Sequence, residues 1–597
     1  MVQDSQPTFN PKTYLQLYLN GQYDQLSEAF IEVLTHFETV LYTEATPELE
    51  YFVDVFIKNF LYLFSQPDYI VGDRHALRFI QLNPVIANLT AISHQKTTDY
   101  YLQMLQKQPQ NFIKILTLLN PRCTTTIDYP LLFDTNATLA SHWYSYYIEL
   151  YLSAQVNPIA RKNLRNHIAY ADDERLVEFA NIADVYYGST YINHEGDRPI
   201  KQRLNQAIRA NTFCQTAKIQ NSNPNPRKIA VITAFCHQNH SVYRTLYAYL
   251  KALVPDYELT LIYLGSKLAD VDQALFKEVI PLEIVDGALE IEPIRQNDFA
   301  IAYFLDIGMS PESILLSNLR IAPIQIVSTG HPVSTYGSEI DYMMSGGAVE
   351  IRSLAAKHYD EKLILLPGNG AVYQCPHYEL HHPKKARSEV VINCPWLGQK
   401  MNEPLIKLLG YIQKKATKKV FFRFFTSHSL RKNGLIPLIG DLSAILPSDA
   451  FEIILGQPDN DYMALLEEGD FTLDSYPFGG SNVMLDNIYL RKPIVGYEGK
   501  KWANRIGSQL LRQIGMAELV TTNANDYVKL ALKLVDNTAY RQGVNDRLRN
   551  IDLDEKLFST DEPQHFKRAI AYLLENHNTL QQNQSRRPIE ISTDISR

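Results

Sequence analysis

From residue 229 onward, short apolar segments alternate with segments of helical periodicity, and this alternation restricts the fold more than any other feature of the chain. The apolar segments are rich in Ile, Val and Tyr. Continuous apolar runs of this length are typical of parallel strands, which are buried on both faces of a sheet. Residues 228–382 are therefore predicted to form a Rossmann-like α/β lobe. Its predicted strands are 229–233, 259–264, 299–304 and 323–327, and its predicted helices are 242–253, 270–279 and 311–319.

A second alternating series follows a linker at 381–387 and predicts another Rossmann-like lobe over residues 388–578. Two successive α/β lobes with a cleft between them are expected to hold a ligand at the carboxyl ends of facing strands. The polar residues of 579–597 predict a disordered tail. The predicted strands of the second lobe are 390–394, 420–425, 451–455, 471–473 and 493–495.

The segment before these lobes has a different pattern. Over residues 1–220 the apolar side chains recur at helical spacing, and prolines interrupt the pattern repeatedly. This predicts an all-helical N-terminal domain, and a helical bundle is favoured because no sustained period indicates a repeat array. The run at 221–228, with two prolines among asparagines, is predicted to be a linker.

Composition narrows the class of protein. A chain of 597 residues, 45% hydrophobic and 20% charged, is typical of a multidomain globular protein. A net charge of −8 argues against nucleic-acid binding, and five widely spaced cysteines indicate a reducing compartment. The N-terminus lacks a secretory pattern, and no apolar stretch is long enough to span a bilayer. A cytoplasmic protein is expected.

The segment 475–486, Ser-Tyr-Pro-Phe-Gly-Gly-Ser-Asn-Val-Met-Leu-Asp, is the strongest candidate for a ligand site. It predicts a strand end, a glycine turn and the start of a helix. Gly479 and Gly480 would let the backbone approach a ligand, and the amides of Ser481, Asn482 and Val483 would face an anion at the positive end of the helix dipole. Asp486 would then accept from ribose hydroxyls. The alternative is an ordinary turn capped by Ser481.

Two further loops carry candidate residues. Lys400 lies between the first strand and first helix of the second lobe, where an ammonium would stabilise a diphosphate; the alternative is a surface lysine. His237 and His240 open a helix of the first lobe, and Arg244 follows one turn later. A metal site is disfavoured because no third ligand accompanies the histidines, and the alternative for them is helix capping.

Several common motifs are absent or weak. The Asp-x-Asp pairs at 270–272 and 459–461 precede predicted helices, so capping is favoured over manganese binding. There is no phosphate-binding P-loop, no Gly-x-Ser-x-Gly elbow and no Gly-x-Gly-x-x-Gly fingerprint. Kinases, common hydrolases and classical dehydrogenases are therefore disfavoured.

Three segments of the first lobe and one of the second together resemble a known family. The segments at 240–245, 318–332 and 339–342, with Tyr476-Pro-Phe-Gly479, resemble glycosyltransferase family 41 over about residues 228–545. The match is closest to the bacterial cytoplasmic N-glycosyltransferases that modify high-molecular-weight adhesins, which are related to O-linked N-acetylglucosamine transferase. The resemblance implies an α/β fold of the GT-B type, with two facing Rossmann-like lobes preceded by an all-α domain.

The resemblance also implies an activity. It implies an inverting, metal-independent enzyme without a cofactor, which moves glucose or galactose from a UDP-sugar to Asn in an Asn-x-Ser/Thr sequon. The acceptor would be a protein such as an adhesin before export, and neither nucleic acid nor a membrane span is expected. Lys400 matches the lysine that binds the diphosphate, Asn482 the residue at the helix start that contacts phosphate, Asp486 the acid that binds ribose, and His240 a histidine facing the donor phosphates and the acceptor.

Some positions depart from the family pattern. In the family pattern a histidine lies close to the uracil. This chain has Gly456 or Gln457 at that position, and Gln457 is assigned to the donor site. His428 lies in the stretch that replaces a glutamine contacting the sugar. The residues assigned to the sugar or acceptor side are His237, Gly330, His331 and His428.

These departures keep two alternative functions open. One is elongation of a sugar already linked to protein. The other, of a different class, is a non-catalytic adhesin-binding module with a vestigial nucleotide site.

Overall fold

The computed structural model describes residues 8–39, 46–106, 109–148, 157–176, 178–238, 240–285, 288–381, 387–426 and 434–592. The chain divides into two compact units. The first comprises Met1–Arg203, Leu397–Tyr411 and Thr426–Gly456, and the second comprises Leu204–Trp396, Ile412–Phe425 and Gln457–Arg597.

The N-terminal region is helical, as predicted. Helix α3 shows why: Thr46 caps its first turn by accepting from the amide of Leu49, and its apolar residues at helical spacing are buried. The helices are α1 (Pro11–Leu19), α2 (Tyr23–Thr39), α3 (Pro47–Phe64), α4 (Asp73–Gln81), α5 (Asn83–Ile92), α6 (Asp99–Leu105), α7 (Phe112–Leu118), α8 (Tyr129–Thr135), α9 (Ala137–Tyr147), α10 (Pro158–Ala169), α11 (Ile182–Ile192), α12 (Arg198–Ala210) and α13 (Thr212–Thr216).

The first unit also contains segments from the second alternating series. A 3-10 turn at Gly398–Lys400 packs against α11, and helix α18 (Leu435–Ser443) packs against α5. Both terminal nitrogens of Arg122 donate to the two carboxylate oxygens of Asp441, at 3.1 and 2.9 Å. This nearly buried pair fastens α18 to the helical region. The other elements here are the start of α17 (Glu403–Lys415) and strand β12 (Phe451–Ile454).

The first lobe of the second unit is built on a parallel sheet with the strand order β16-β9-β8-β7-β6-β1-β2-β3. The first strand, β1, has β2 on one side and β6 on the other, so the topological switch point lies between β1 and β6. The strands are β1 (Gln220–Thr233), β2 (Glu258–Tyr263), β3 (Glu278–Pro281), β6 (Gln296–Phe304), β7 (Ile324–Val327), β8 (Tyr342–Gly346), β9 (Lys362–Leu366) and β16 (Ile589–Glu590); β4 (Ile284–Val285) and β5 (Ala288–Leu289) form a separate antiparallel pair.

Helices cover this sheet. Those between its strands are α14 (Ser241–Leu253), α15 (Pro311–Ser317) and α16 (Ala355–His358). Helix α24 (Glu562–Gln582) also belongs to this lobe's core: the ring of Phe566 stacks on Tyr249 at 4.4 Å, and Glu562 accepts from the amides of Asn369 and Gly370. The structure therefore differs from the predicted boundary of the second lobe at residue 578.

The second lobe has parallel strands in the order β11-β10-β13-β14-β15. Its first strand, β10, again lies between two neighbours, so a second switch point is formed at its carboxyl end. The strands are β10 (Val390–Cys394), β11 (Val420–Phe425), β13 (Phe471–Leu473), β14 (Ile494–Tyr497) and β15 (Val520–Thr521), and the helices are α19 (Asp459–Glu468), α20 (Asn482–Tyr489), α21 (Ile506–Gln513), α22 (Ala524–Asp536) and α23 (Thr538–Arg549).

The predicted linker at 221–228 is wrong, because these residues are part of β1. Their pairing with β6 is irregular, with register shifts between Asn221 and Asn225 and between Asn225 and Ile229. Strand β2 pairs with β1 from Lys228 onward. Proline is tolerated in such a one-sided, irregular extension, because few ladder donors are needed there.

The predicted helix at 270–279 is also wrong. Short 3-10 turns and the strand β3 occupy this region. Asp272 accepts from the amide of Ala274 at 3.3 Å and from the hydroxyl of Tyr247 at 2.9 Å, so its carboxylate fixes a turn. This confirms the capping interpretation for Asp272.

The prediction of a disordered tail from residue 579 is wrong for residues 579–592. Helix α24 continues to Gln582, and β16 pairs in parallel with β9. Arg586 donates to the carbonyl oxygens of Tyr359 and Asp360, which ties the segment to the first lobe. Residues 593–597 lie outside the described part of the chain. Among the described helices, none has the length and apolarity needed to cross a bilayer.

Candidate functional site

The predicted glycine turn follows β13 and leads into α20. The carboxylate of Asp474 accepts from the amides of Ser475 and Gly480, both at 2.8 Å, and so holds the turn closed. A side chain at Gly480 would place a Cβ 2.5 Å from the nearest methyl of Val483. Glycine is therefore needed here for close packing of the turn on its own helix.

The start of α20 has donors available to a ligand. Ser481 makes no capping bond to the helix; its hydroxyl instead pairs with the hydroxyl of Tyr373 in the first lobe, at 2.7 Å. The alternative of a turn capped by Ser481 is therefore wrong. In the part of the chain that the structure describes, the amides of Ser481, Asn482 and Val483 have no acceptor. Such amides at a helix N-terminus favour an anion.

Asp486 lies one turn further along α20 and is 2% exposed. One carboxylate oxygen, Oδ1, accepts from Arg244 of α14 at 2.6 Å. Burial raises the pKa of Asp486, whereas the charge and hydrogen bond of Arg244 lower that pKa. Asn482 also reaches α14, because its side-chain amide donates to the carbonyl oxygen of Ser241 at 3.3 Å.

His240 is the N-cap of α14. Its Nδ1 accepts from the amide of Val242 at 3.2 Å, so helix capping is confirmed for this residue. Phe235 stacks on the imidazole with ring centroids 4.5 Å apart, and the ring of His237 meets its edge at 5.2 Å. Burial, with a smaller effect of His237, lowers the pKa of His240 to about 3. The ring is thus neutral near pH 7, and Nε2 carries the proton that it can donate.

Gly330 and His331 follow β7. The amide of Gly330 donates to Leu305 at 3.2 Å, and a Cβ at this position would lie 2.3 Å from that same carbonyl oxygen. His331 is 2% exposed and donates from Nδ1 to the carbonyl oxygen of Ile307 at 2.8 Å. Its ring is stacked 6.4 Å from that of Phe478 in the glycine turn. These two residues pack the end of β7 next to the turn.

Three predicted residues remain to be described. Lys400, in the first unit, is partly buried and ends the 3-10 turn; its carbonyl oxygen accepts from Asn402 at 3.0 Å. Gln457, in the second unit, is exposed and precedes Pro458. His428 lies outside the described residues. The structure therefore brings together His237, His240, His331, Gly330, Gly480, Ser481, Asn482 and Asp486.

A cavity of about 520 Å³ opens beside Asp486. This volume is within the range of small-molecule pockets. Arg244 and residues of α19 line it together with a first-lobe segment that sequence patterns did not single out. The lining residues are Gln238, Arg244, Gln374, Cys375, Pro376, His377, Tyr378, Pro458, Asp459, Asn460, Tyr462, Met463 and Asp486.

Asp306 is a buried acid that the sequence interpretation missed. It follows β6 at the first switch point, is fully buried, and accepts on Oδ1 from the hydroxyl of Thr233 at 2.7 Å. The same hydroxyl accepts from the amide of Phe235 at 2.9 Å, so Asp306 helps to fix the loop that leads to His240. Within the described residues Oδ2 has no partner, and burial raises the pKa of Asp306 to about 7.

Among the described residues, no group of three or more His, Cys, Asp and Glu side chains is arranged to hold a metal ion. The groups that the site offers to a ligand include the backbone donors of α20, the buried carboxylate of Asp486, the guanidinium of Arg244 and the neutral imidazole of His240. This set is suited to binding a phosphorylated, hydroxyl-rich ligand.

Residues 466–565 match the model of glycosyl transferase family 41. This segment contains the glycine turn, α20 and Asp486. The predicted resemblance to glycosyltransferase family 41 is confirmed. A relative named UDP-glucose:protein N-beta-glucosyltransferase, from Actinobacillus pleuropneumoniae serotype 5b (strain L20), is 25% identical over 516 residues, which cover 80% of this chain and 81% of that protein.

Two further comparisons give a relative similar over a shorter segment and a solved structure with a similar fold. A probable UDP-N-acetylglucosamine–peptide N-acetylglucosaminyltransferase SPINDLY from Oryza sativa subsp. japonica is 26% identical over 247 residues, covering 39% of this chain and 25% of that protein. A mutant O-GlcNAc transferase of Thermobaculum terrenum aligns with a TM-score of 0.57 and 17% identity, covering 89% of this chain and 98% of that chain. The predicted GT-B fold, with Rossmann-like lobes after a helical region, is confirmed.

Proposed function

We propose that this chain is a protein glycosyltransferase that moves glucose or galactose from a UDP-sugar to Asn in an Asn-x-Ser/Thr sequon, with inversion and without a metal ion. Relatives named UDP-glucose:protein N-beta-glucosyltransferases, similar over 80% of the chain, support the donor and the acceptor class. The free thiols of all five cysteines support a cytoplasmic location. The acceptor that we propose is a protein such as an adhesin, modified before export.

The observation that carries the proposal is the pairing of helices α14 and α20 at the edge of one cavity. The open amides of Ser481, Asn482 and Val483 fit a diphosphate, and Asp486 fits the ribose hydroxyls one turn further on. His240, at the start of the opposing helix, supplies a neutral donor.

The proposed chemistry follows from these groups. The side-chain nitrogen of the acceptor Asn attacks the anomeric carbon as the bond from that carbon to the diphosphate oxygen breaks, so the configuration inverts. The nitrogen releases one of its two protons to solvent, and UDP departs with the electron pair of the broken bond. Negative charge grows on the departing UDP. Preorganised donors stabilise such charge because they need no reorientation during the reaction, and each is typically worth about 3 kcal/mol. Lys400 stays a prediction for this role, based on the resemblance.

The test is a transfer assay with purified protein and three acceptor peptides. One peptide carries an Asn-Ala-Thr sequon, the second carries Gln in place of the Asn, and the third carries a glucosylated Asn. Each is incubated with UDP-glucose or UDP-galactose in EDTA, and products are measured by mass. Addition of one hexose to the first peptide alone is expected. Transfer only to the glucosylated peptide would contradict the proposal in favour of sugar elongation, and no transfer with any pair would contradict enzymatic activity on Asn.

A further inference from the structure

Arg244 and Asp486 form the one ion pair that joins α14 to α20 among the described residues. Their charged atoms are 2.6 Å apart, and their side chains are 24% and 2% exposed. The pair lines the cavity, so it lies where a nucleoside would enter.

Arg244 takes only one oxygen of the carboxylate. Both the hydrogen bond and the ion pair of Asp486 use Oδ1, and none of the described residues forms a hydrogen bond to Oδ2. A carboxylate accepts through both oxygens, so the one that remains is available to a hydroxyl group in the cavity. A single free oxygen also fixes the direction from which that hydroxyl donates.

The backbone of Arg244 is held by the same cavity wall. Its carbonyl oxygen accepts from the amide of Gln374 at 3.0 Å, and Val372 donates to the next residue, Thr245, at 2.9 Å. The guanidinium therefore extends from a stretch of α14 whose backbone is fixed, so it can orient the carboxylate of Asp486. Loss of the guanidinium would leave a buried carboxylate without its counter-charge, which is costly.

The charges around Asp486 depend on Arg244. Asp459 of α19 disfavours a second negative charge nearby, and Tyr462 of the same helix faces the pair. Burial, the largest effect, and Asp459 raise the pKa of Asp486, and Arg244 is the cation that lowers it and so offsets part of that rise. Without it, Asp486 would take up a proton at higher pH, and a protonated acid is a poorer acceptor for a hydroxyl.

We infer that Arg244 is a positioning residue for donor recognition: it orients the carboxylate of Asp486 and keeps it charged, so that the free oxygen selects the ribose hydroxyls of a nucleoside diphosphate. This inference rests on the proposed function, because it assumes that Asp486 contacts the ribose. A residue of the first lobe thereby contributes to recognition of a nucleotide that binds to the second lobe.

The experiment measures binding of UDP and of 2′,3′-dideoxy-UDP by calorimetry. The wild type is expected to prefer UDP by about 10- to 100-fold, the typical effect of hydrogen bonds to a charged group. Arg244→Met is expected to reduce that preference to less than about threefold, and Arg244→Lys to give an intermediate value. Arg295→Met, which removes an exposed arginine from a surface ion pair with Glu292, is the matched control and should leave the preference unchanged.

A second readout separates orientation from general damage to the fold. The ratio of UDP affinities of wild type and Arg244→Met is measured at about pH 5.5 and about pH 8.5, which cancels the titration of UDP itself. The ratio is expected to be at least about fivefold larger at the lower pH, and Asp486→Asn should abolish that dependence.

The outcomes distinguish the two levels of the proposal. An Arg244→Met protein that is folded by circular dichroism and keeps the full preference for UDP would overturn the inference while leaving the proposed function intact. If Arg244→Met does not fold, Arg244→Lys decides by the same criterion. A wild type that binds no UDP at either pH would overturn the inference together with the proposed function.

Discussion

Asp306 makes a measurable prediction about stability. Its pKa is raised from 3.8 to about 7 by burial, so the folded lobe holds a proton that the unfolded chain releases at lower pH. The stability that this proton contributes to the folded lobe is therefore fully present below about pH 4, and it is lost as the pH rises towards about 7. Each pKa unit corresponds to about 1.4 kcal/mol, so the cost of Asp306 is about 2 kcal/mol at pH 5 and about 4 kcal/mol at pH 8.

Asp306→Asn removes this pH dependence. The new amide keeps an oxygen for Thr233, and its unpaired NH₂ costs about 1–3 kcal/mol at every pH. Relative to the wild type, the variant should therefore gain about 2–3 kcal/mol between about pH 5 and pH 8. That gain is roughly a fiftyfold change in the ratio of their protection factors.

Hydrogen exchange of β6, read by mass spectrometry, measures that ratio in the lobe that contains Asp306. Comparing variant and wild type at the same pH cancels the intrinsic pH dependence of exchange. Asp298→Asn is the matched control, because Asp298 is an acid on β6 itself but is 40% exposed and pairs with Lys228. If the ratio of the protection factors of Asp306→Asn and the wild type changes by less than about threefold between about pH 5 and about pH 8, the reasoning is refuted.

Three further predictions concern the site and the helical region. Lys400→Ala should lower the initial rate of hexose transfer by about 100- to 1,000-fold if the lysine stabilises the diphosphate, whereas Lys407→Ala, which removes an exposed lysine of helix α17, should not; equal rates would contradict the assignment. Because the pKa of His240 is lowered to about 3, the pH profile of kcat/KM should show no ionisation from this residue above about pH 5, and an inflection near pH 6.5 that His240→Asn removes would contradict the geometry. Arg122→Met should lower the free energy of unfolding of the helical unit by about 3–5 kcal/mol, because Asp441 is left buried without its partner. Adding Asp441→Leu should restore most of that free energy, as measured by urea titrations followed by limited proteolysis.

The strands of the second lobe could be predicted accurately from the sequence. The predicted and observed bounds agree for 390–394, 420–425 and 471–473, because these strands are buried and their apolar runs end abruptly at polar or turn residues. Burial on both faces leaves a strong local signal. The errors in the first lobe lie at 221–228 and 270–279, where pairing with a neighbouring strand decides the structure and local composition does not.

The candidate site was predictable in part. The glycine turn and Asp486 carry a local signal, since a strand end, two glycines and an acid in the next helix follow one another in sequence. The pairing of Arg244 with Asp486 and the contact of Tyr373 with Ser481 join the two lobes, so no local pattern could indicate them. Asp306 was missed because a single acid after an apolar strand is common and its burial depends on the packing of its neighbours.

The placement of β16 on β9 has a consequence for biosynthesis. The sheet of the first lobe is completed by a segment that leaves the ribosome after the entire second lobe, and α24 arrives equally late to cover Tyr249. One edge of the first lobe's sheet, at β9, therefore stays without its last strand until the second lobe has been translated.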